Sequence, residues 1–170
     1  IRVLFSGNLT LRKGAQWLTP IARRLHPNIR IFYTTGLRTK SRLPSGPNLI
    51  PIGKVPHGEM PIRYQQMDIL LMPTVREGFV MAVLEAMASG LPPIVASEGG
   101  PAEQVRHGET GLVIDLEVSE GLVDAMAILL EREGIRRRLA AAARQHARTC
   151  SWDRLLTALF PDSDLQEAEE

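Results

Sequence analysis

The chain is poor in the features that mark several function classes. One cysteine, Cys150, stands among 170 residues. That excludes an internal disulfide framework, fits a reducing compartment and cannot by itself make a thiolate metal site. A net charge of +1 gives no case for general nucleic-acid binding. No apolar run approaches the roughly 20 residues that a membrane span needs, and no signal peptide is visible. The histidines, His26, His57, His107 and His146, are scattered without ligand spacing, so no metal is expected. The phosphate-binding Walker pattern fails because Lys13 is followed by Gly14, and the G-x-G-x-x-G dinucleotide pattern is absent. Ser6 and Ser97 lack the context of a nucleophile elbow.

What is present is an ordinary globular composition, with 44% hydrophobic and 23% charged residues. The length suffices for one domain with a full core. Ile1 opens directly on a strand pattern, so the chain is expected to be an excised domain or the C-terminal part of a longer protein. Short apolar runs at 1–5, 29–34, 48–52, 68–73, 93–96 and 111–115 read as strands. Pro51 predicts an edge position or a strand end for the third. Helical patterns lie between them at 15–25, 60–67, 79–89 and 101–106. Pro20 is expected to kink or shorten the first. Two further helices, 119–131 and 135–147, are expected to split near Gly134, and Ser151 is expected to cap a last one. Such alternation predicts an α/β fold: a Rossmann-like, doubly wound parallel sheet of about six strands with helices on both faces. Residues 1–150 are assigned to that domain, and 151–170 to a C-terminal helix with a frayed acidic tail.

In such sheets ligands bind beyond the carboxyl ends of the strands. The loops there carry Gly7, Asn8, Arg12 and Lys13 after the first strand, and Glu77 and Gly78 after the fourth. Lys13 and Arg12 suit a phosphate, or simply form a solvated basic turn. Glu77 is placed at a helix start, whose bare amides favour anions. It suits sugar hydroxyls, or merely complements the helix dipole. Glu85 lies roughly two turns further along the same helix. It reads as a solvent-facing residue, or, from its flanks Val83, Leu84, Ala86 and Met87, as a substantially buried carboxylate in need of donors such as a ribose diol. Amides at the tip of a helix and a carboxylate on its flank suit a nucleotide-sugar. Arg136, Arg137, Arg138, Arg144 and Arg148 form a solvated face, with docking to an acidic surface as the alternative.

Taken in chain order, these segments resemble the C-terminal domain of family 4 retaining glycosyltransferases of the GT-B fold. Gly7-Asn8-Leu9 with Lys13-Gly14 is similar to the family's opening loop, and Gly53 to Pro56 to its G-x-V turn. Glu77 to Glu85 matches its E-x7-E element, continuing through Ala86-Met87-Ala88-Ser89-Gly90-Leu91-Pro92. Gly99 to Val105, His107 to Leu112 and Ser151-Trp152 resemble the later motifs. The resemblance implies that Lys13 holds the donor diphosphate and that Glu77 contacts sugar hydroxyls and positions the anomeric carbon; these two are the implied catalytic residues. It implies that amides of Gly78, Phe79, Val80 and Met81 face phosphate and sugar, that Glu85 holds the ribose, and that Val55 and Pro56 lie against the base. Gly7, Asn8 and Arg12 complete the donor loop. Asn8 stands where the family usually has arginine, and Arg12 is the candidate substitute. The implied reaction transfers a sugar from a nucleotide-diphospho-sugar, in glycan or glycolipid synthesis, with no metal or other cofactor. The implied partners are that donor and an acceptor-binding N-terminal domain absent from this chain. Placement is expected in the cytoplasm, with any peripheral membrane contact made through the full-length protein. Trp152, Leu155, Leu156, Leu159 and Phe160 would pack on the missing half. A degenerate binding module and a GT-B nucleotide-sugar epimerase are the alternatives.

Overall fold

The computed structural model describes residues 1–35, 43–116 and 120–151. Six strands, β1 (Arg2–Phe5), β2 (Arg30–Thr34), β3 (Leu49–Gly53), β4 (Ile69–Met72), β5 (Pro93–Ala96) and β6 (Leu112–Ile114), form one sheet in the order β3-β2-β1-β4-β5-β6. Every pairing is parallel. The chain runs outward from β1 to β3, then returns to the middle and runs the other way from β4. The reversal falls between β1 and β4, where Phe5 pairs with Leu71. At such a switch point the connections leave in opposite directions, and a crevice opens beyond the strand ends.

The strands are apolar almost throughout because both faces of the sheet are covered. Val3, Phe5, Ile69, Leu71 and Ile94 point into one core, with Leu18 and Ile21 of α1 (Leu18–Ala22) and Leu122, Met126 and Leu129 of α5 (Glu120–Glu131). Leu4, Leu70, Met72 and Val95 point into the other. There they meet Met60 and Tyr64 of α2 (Met60–Gln65), Val83, Ala86 and Met87 of α3 (Met81–Ala88), and Ala143 of α6 (Glu133–Thr149). The alternation of in and out along each strand follows from the two-residue period of the pleat. Among the described residues no helix is long and apolar enough to cross a membrane.

Several expectations shift in position. The first helix is a 3-10 turn, Ala15–Trp17, followed by α1. It ends at Ala22, short of residue 25, and the five-residue helix that contains Pro20 is short, as expected of that proline. The break before α6 falls at Arg132, with φ −111° and ψ 75°, and not at Gly134. Arg136 Nη1 donates to the Leu129 carbonyl at 2.6 Å and so caps the end of α5. Pro51 does lie on the edge strand β3. The helix expected after Ser151, with Trp152 and the acidic tail, lies outside the described residues.

The helix expected from residue 79 begins at Met81. Val80 is extended, with φ −112° and ψ 103°, because a side chain holds it so. Gln104, at the end of α4 (Gly100–Gln104), accepts from the Val80 N–H at 3.0 Å and donates to the Val80 carbonyl at 3.3 Å. This pairing imitates a strand ladder and stops the helix from propagating back. Glu77 and Gly78 therefore belong to the loop before α3 and not to its first turn.

Candidate functional site

The site is built where the β1 and β4 loops meet. Gly14 has φ 81°, and a Cβ there would run into the Pro73 carbonyl. The missing side chain lets the first loop fold flat against the end of β4. Val75 N–H then donates to the Arg12 carbonyl at 3.0 Å, tying the loops together. Lys13 Nζ comes to 2.6 Å from Glu77 Oε2, and Arg12 Nε to 3.0 Å from Glu77 Oε1. The Glu77 side chain keeps 12% of its surface exposed and Lys13 19%, whereas Arg12 keeps 68%. The Lys13 pair is thus largely enclosed. Arg12 contributes charge but lies off the hydrogen-bond axis of Oε1, which is buried without a hydrogen-bond partner.

A second close approach fixes the other side of Glu77. Gly100 N–H donates to the Glu77 carbonyl at 2.8 Å, and a Cβ on Gly100 would strike the Gly78 carbonyl. Arg76, just before Glu77, is the one non-glycine residue with positive φ among those described, at 56°. Left-handed backbone costs of order 1–3 kcal/mol at such a residue and persists only where the surroundings over-determine it. Here the neighbours on both sides, loops 6–14 and 97–100, determine the path.

Glu85 forms the other end. It is the fifth residue of α3, with 30% of its side chain exposed. Tyr64 Oη donates to Glu85 Oε2 at 3.0 Å, and His57 Nε2 lies 3.3 Å from Oε1. Burial first, and the Glu85 charge second, push the Tyr64 phenol well above its ordinary value of 10. It remains a proton donor at any physiological pH. Beside Glu85 lies a cleft of about 540 Å³ whose lining includes Gly7, Asn8, Val55, Met81 and Glu85. Its floor is held by Thr34, whose hydroxyl accepts from Gly7 N–H and donates to the Gly7 carbonyl, both at 2.8 Å.

The sequence-derived candidates thus fall into two neighbouring groups. Arg12, Lys13 and Glu77 form one; Gly7, Asn8, Val55, Met81 and Glu85 share the cleft. Gly78 and Phe79 border, with Glu77, a second cleft of about 530 Å³ toward α4 and His146. Pro56 is exposed and caps the turn His57–Glu59. One expectation reverses: Val80 is buried and its N–H is taken by Gln104, so it does not face an anion. Glu85 falls between its two readings, partly exposed, and Glu77 is the more enclosed carboxylate. Val83, Ala86 and Met87 lie on the buried face of α3, whereas Glu77 is covered by residues distant in sequence. Tyr64, Thr34 and Gln104 were missed. Tyr64 shares a helix face with Met60 at i, i+4 and so reads as plain core; Gln104 gives no local signal. Among the described residues no group of three or more His, Cys, Asp or Glu side chains is placed to hold a metal ion.

Residues 37–146 match the family described as glycosyl transferases group 1. The chain belongs to that family. This group 1 chain is 32% identical, over 97% of its length, to the D-inositol 3-phosphate glycosyltransferase of Corynebacterium glutamicum. It covers 44% of that protein, so it spans less than half the length of its relative. Its fold is that of solved GT-B glycosyltransferases. Sucrose-phosphate synthase of Thermosynechococcus elongatus superposes with a TM-score of 0.80 at 23% identity, over 95% of this chain and 46% of that one. The Anabaena protein HepE, solved in complex with UDP-glucose, superposes at 0.77 with 20% identity, over 87% and 44%.

Proposed function

We propose that this group 1 chain is the donor-binding half of a retaining glycosyltransferase. It would hold a nucleotide-diphospho-sugar and present its anomeric carbon to an acceptor carried by a second domain. The observation that carries this reading is the enclosed Lys13–Glu77 pair at the switch point, with Glu85 facing the adjoining cleft from the same connection. The ribose would lie against Glu85 and the base near Val55. The diphosphate would reach Lys13 and Arg12, with Met81 and Ala82 at the start of α3 lining the same cleft as Glu85. Glu77 Oε1, buried and lacking a hydrogen-bond donor, would take a sugar hydroxyl.

The chemistry asked of this half is modest. As the glycosidic bond breaks, negative charge builds on the departing diphosphate. Fixed cations and amides aimed at that charge lower the barrier most where water is sparse. Lys13 meets this need because its position is already set by Glu77. No metal or other cofactor is required in this scheme. That HepE was solved with UDP-glucose supports a nucleotide-sugar as the donor class. The acceptor, and any membrane contact, would belong to the rest of the full-length protein, working in the cytoplasm.

Thermal unfolding with UDP, GDP and ADP tests the reading. A nucleotide present at about 100 times its dissociation constant adds roughly 2.7 kcal/mol, a rise of several degrees at this size. The expected result is a rise with one base, abolished by Lys13→Ala. The absence of a rise with all three would count against the proposal.

A further inference from the structure

We propose that Tyr64 is a positioning residue: it fixes the Glu85 carboxylate for a vicinal diol and so sets the preference of the cleft for ribonucleotides over deoxyribonucleotides. This rests on the reading of Glu85 as the ribose ligand. Tyr64 is 1% exposed and packed in the core beneath α3. Its hydroxyl donates to Glu85 Oε2 at 3.0 Å. Packing in the core fixes the ring, which aims its hydroxyl at Glu85 from the wall of the cleft.

Glu85 has no such rigidity of its own. It is long and partly exposed, and its other side-chain partner among the described residues is His57, itself largely in solvent. Without Tyr64 the carboxylate would be free to rotate into water. Tyr64 uses one acceptor position on Oε2 and leaves Oε1 turned toward His57 and the cleft. An ionised carboxylate has about four acceptor positions, so two remain within reach of neighbouring hydroxyls. A site that holds an acceptor in place for a hydroxyl rejects the analogue lacking it, because the acceptor is left unpaired. A free carboxylate would turn to solvent instead and discriminate little.

The test is calorimetric titration of the chain with UDP, 2′-deoxy-UDP and 3′-deoxy-UDP, or the same three forms of GDP or ADP where that base gives the thermal shift, for wild type, Tyr64→Phe and Glu85→Gln. Phenylalanine keeps the ring in the core and removes one oxygen. The expected result is that wild type prefers UDP over at least one deoxy analogue by about tenfold, the worth of one hydrogen bond to a charged group. Tyr64→Phe should lose most of that preference while binding the deoxy analogue as wild type does. If Tyr64→Phe weakens all three ligands equally, or keeps the preference, the residue is only structural and the proposal is overturned. Glu85→Gln separates the two levels. Loss of the preference there, with its survival in Tyr64→Phe, sinks the positioning role alone. Survival of the preference in Glu85→Gln, or no binding of UDP, GDP or ADP by wild type, sinks the ribose reading and this inference with it.

Discussion

Glu77 carries more of the account than any other side chain. It sits between two cations, and a nucleoside diphosphate must compete with it for the same lysine. Removing its charge should therefore have two opposed effects. Lys13 loses its partner in a largely enclosed position, which destabilises the empty protein. An incoming diphosphate no longer meets a carboxylate on the far side of Lys13. At an effective dielectric constant near 20, like charges about 8 Å apart repel by roughly 2 kcal/mol. Glu77→Gln is accordingly expected to melt earlier than wild type yet bind UDP several-fold more tightly by calorimetry, while losing any preference for UDP-glucose over UDP. At this scale the sequence was partly legible. Lys13, Glu77 and Glu85 stand out by residue type and spacing. Which of them is enclosed does not, because enclosure is decided by loops that arrive from elsewhere in the chain.

At the scale of elements, the strands were the easier part. A continuous apolar run bounded by Gly, Pro or charge has few other uses, and β5 was read to the residue, Pro93–Ala96. The apolar pattern places the start of α3 two residues too early. Phe79 and Val80 continue the apolar pattern, and nothing near them announces that Gln104 will hold Val80 extended. The clamp is a tertiary contact across 24 residues. Gln104→Leu should strand one buried backbone group, the Val80 N–H, since the Val80 carbonyl still accepts from the Val83 N–H at 3.0 Å; the cost is about 1–3 kcal/mol, read as a lower urea midpoint with an unchanged slope. Because α3 would gain freedom to extend toward Glu77, UDP binding should weaken as well. Unchanged UDP affinity at reduced stability would show that the clamp serves the fold and not the site.

At the scale of the molecule, the order β3-β2-β1-β4-β5-β6 places the β1 and β4 loops side by side, and this adjacency alone brings Lys13 to Glu77. The alternation of elements predicted the layers; the strand order became visible only in the assembled sheet. Phe79 and Met81 stand 65% and 52% exposed on the same connection that carries Glu77. Apolar side chains left open beside a site suit coverage by further protein, in keeping with relatives more than twice the length matched here. The chain alone is therefore expected to bind donor and to release almost no transferred sugar in a product assay.

The central claim is that Lys13 receives the diphosphate of a nucleotide donor. The most direct measurement compares nucleoside diphosphate with monophosphate, using the base that gives the largest thermal shift, in wild type and Lys13→Ala. The account predicts that the variant loses at least tenfold for the diphosphate, as expected of a charge-assisted contact of about 1.5–3 kcal/mol, and binds the monophosphate as wild type does. Equal loss for both ligands, or no loss for either, would contradict it.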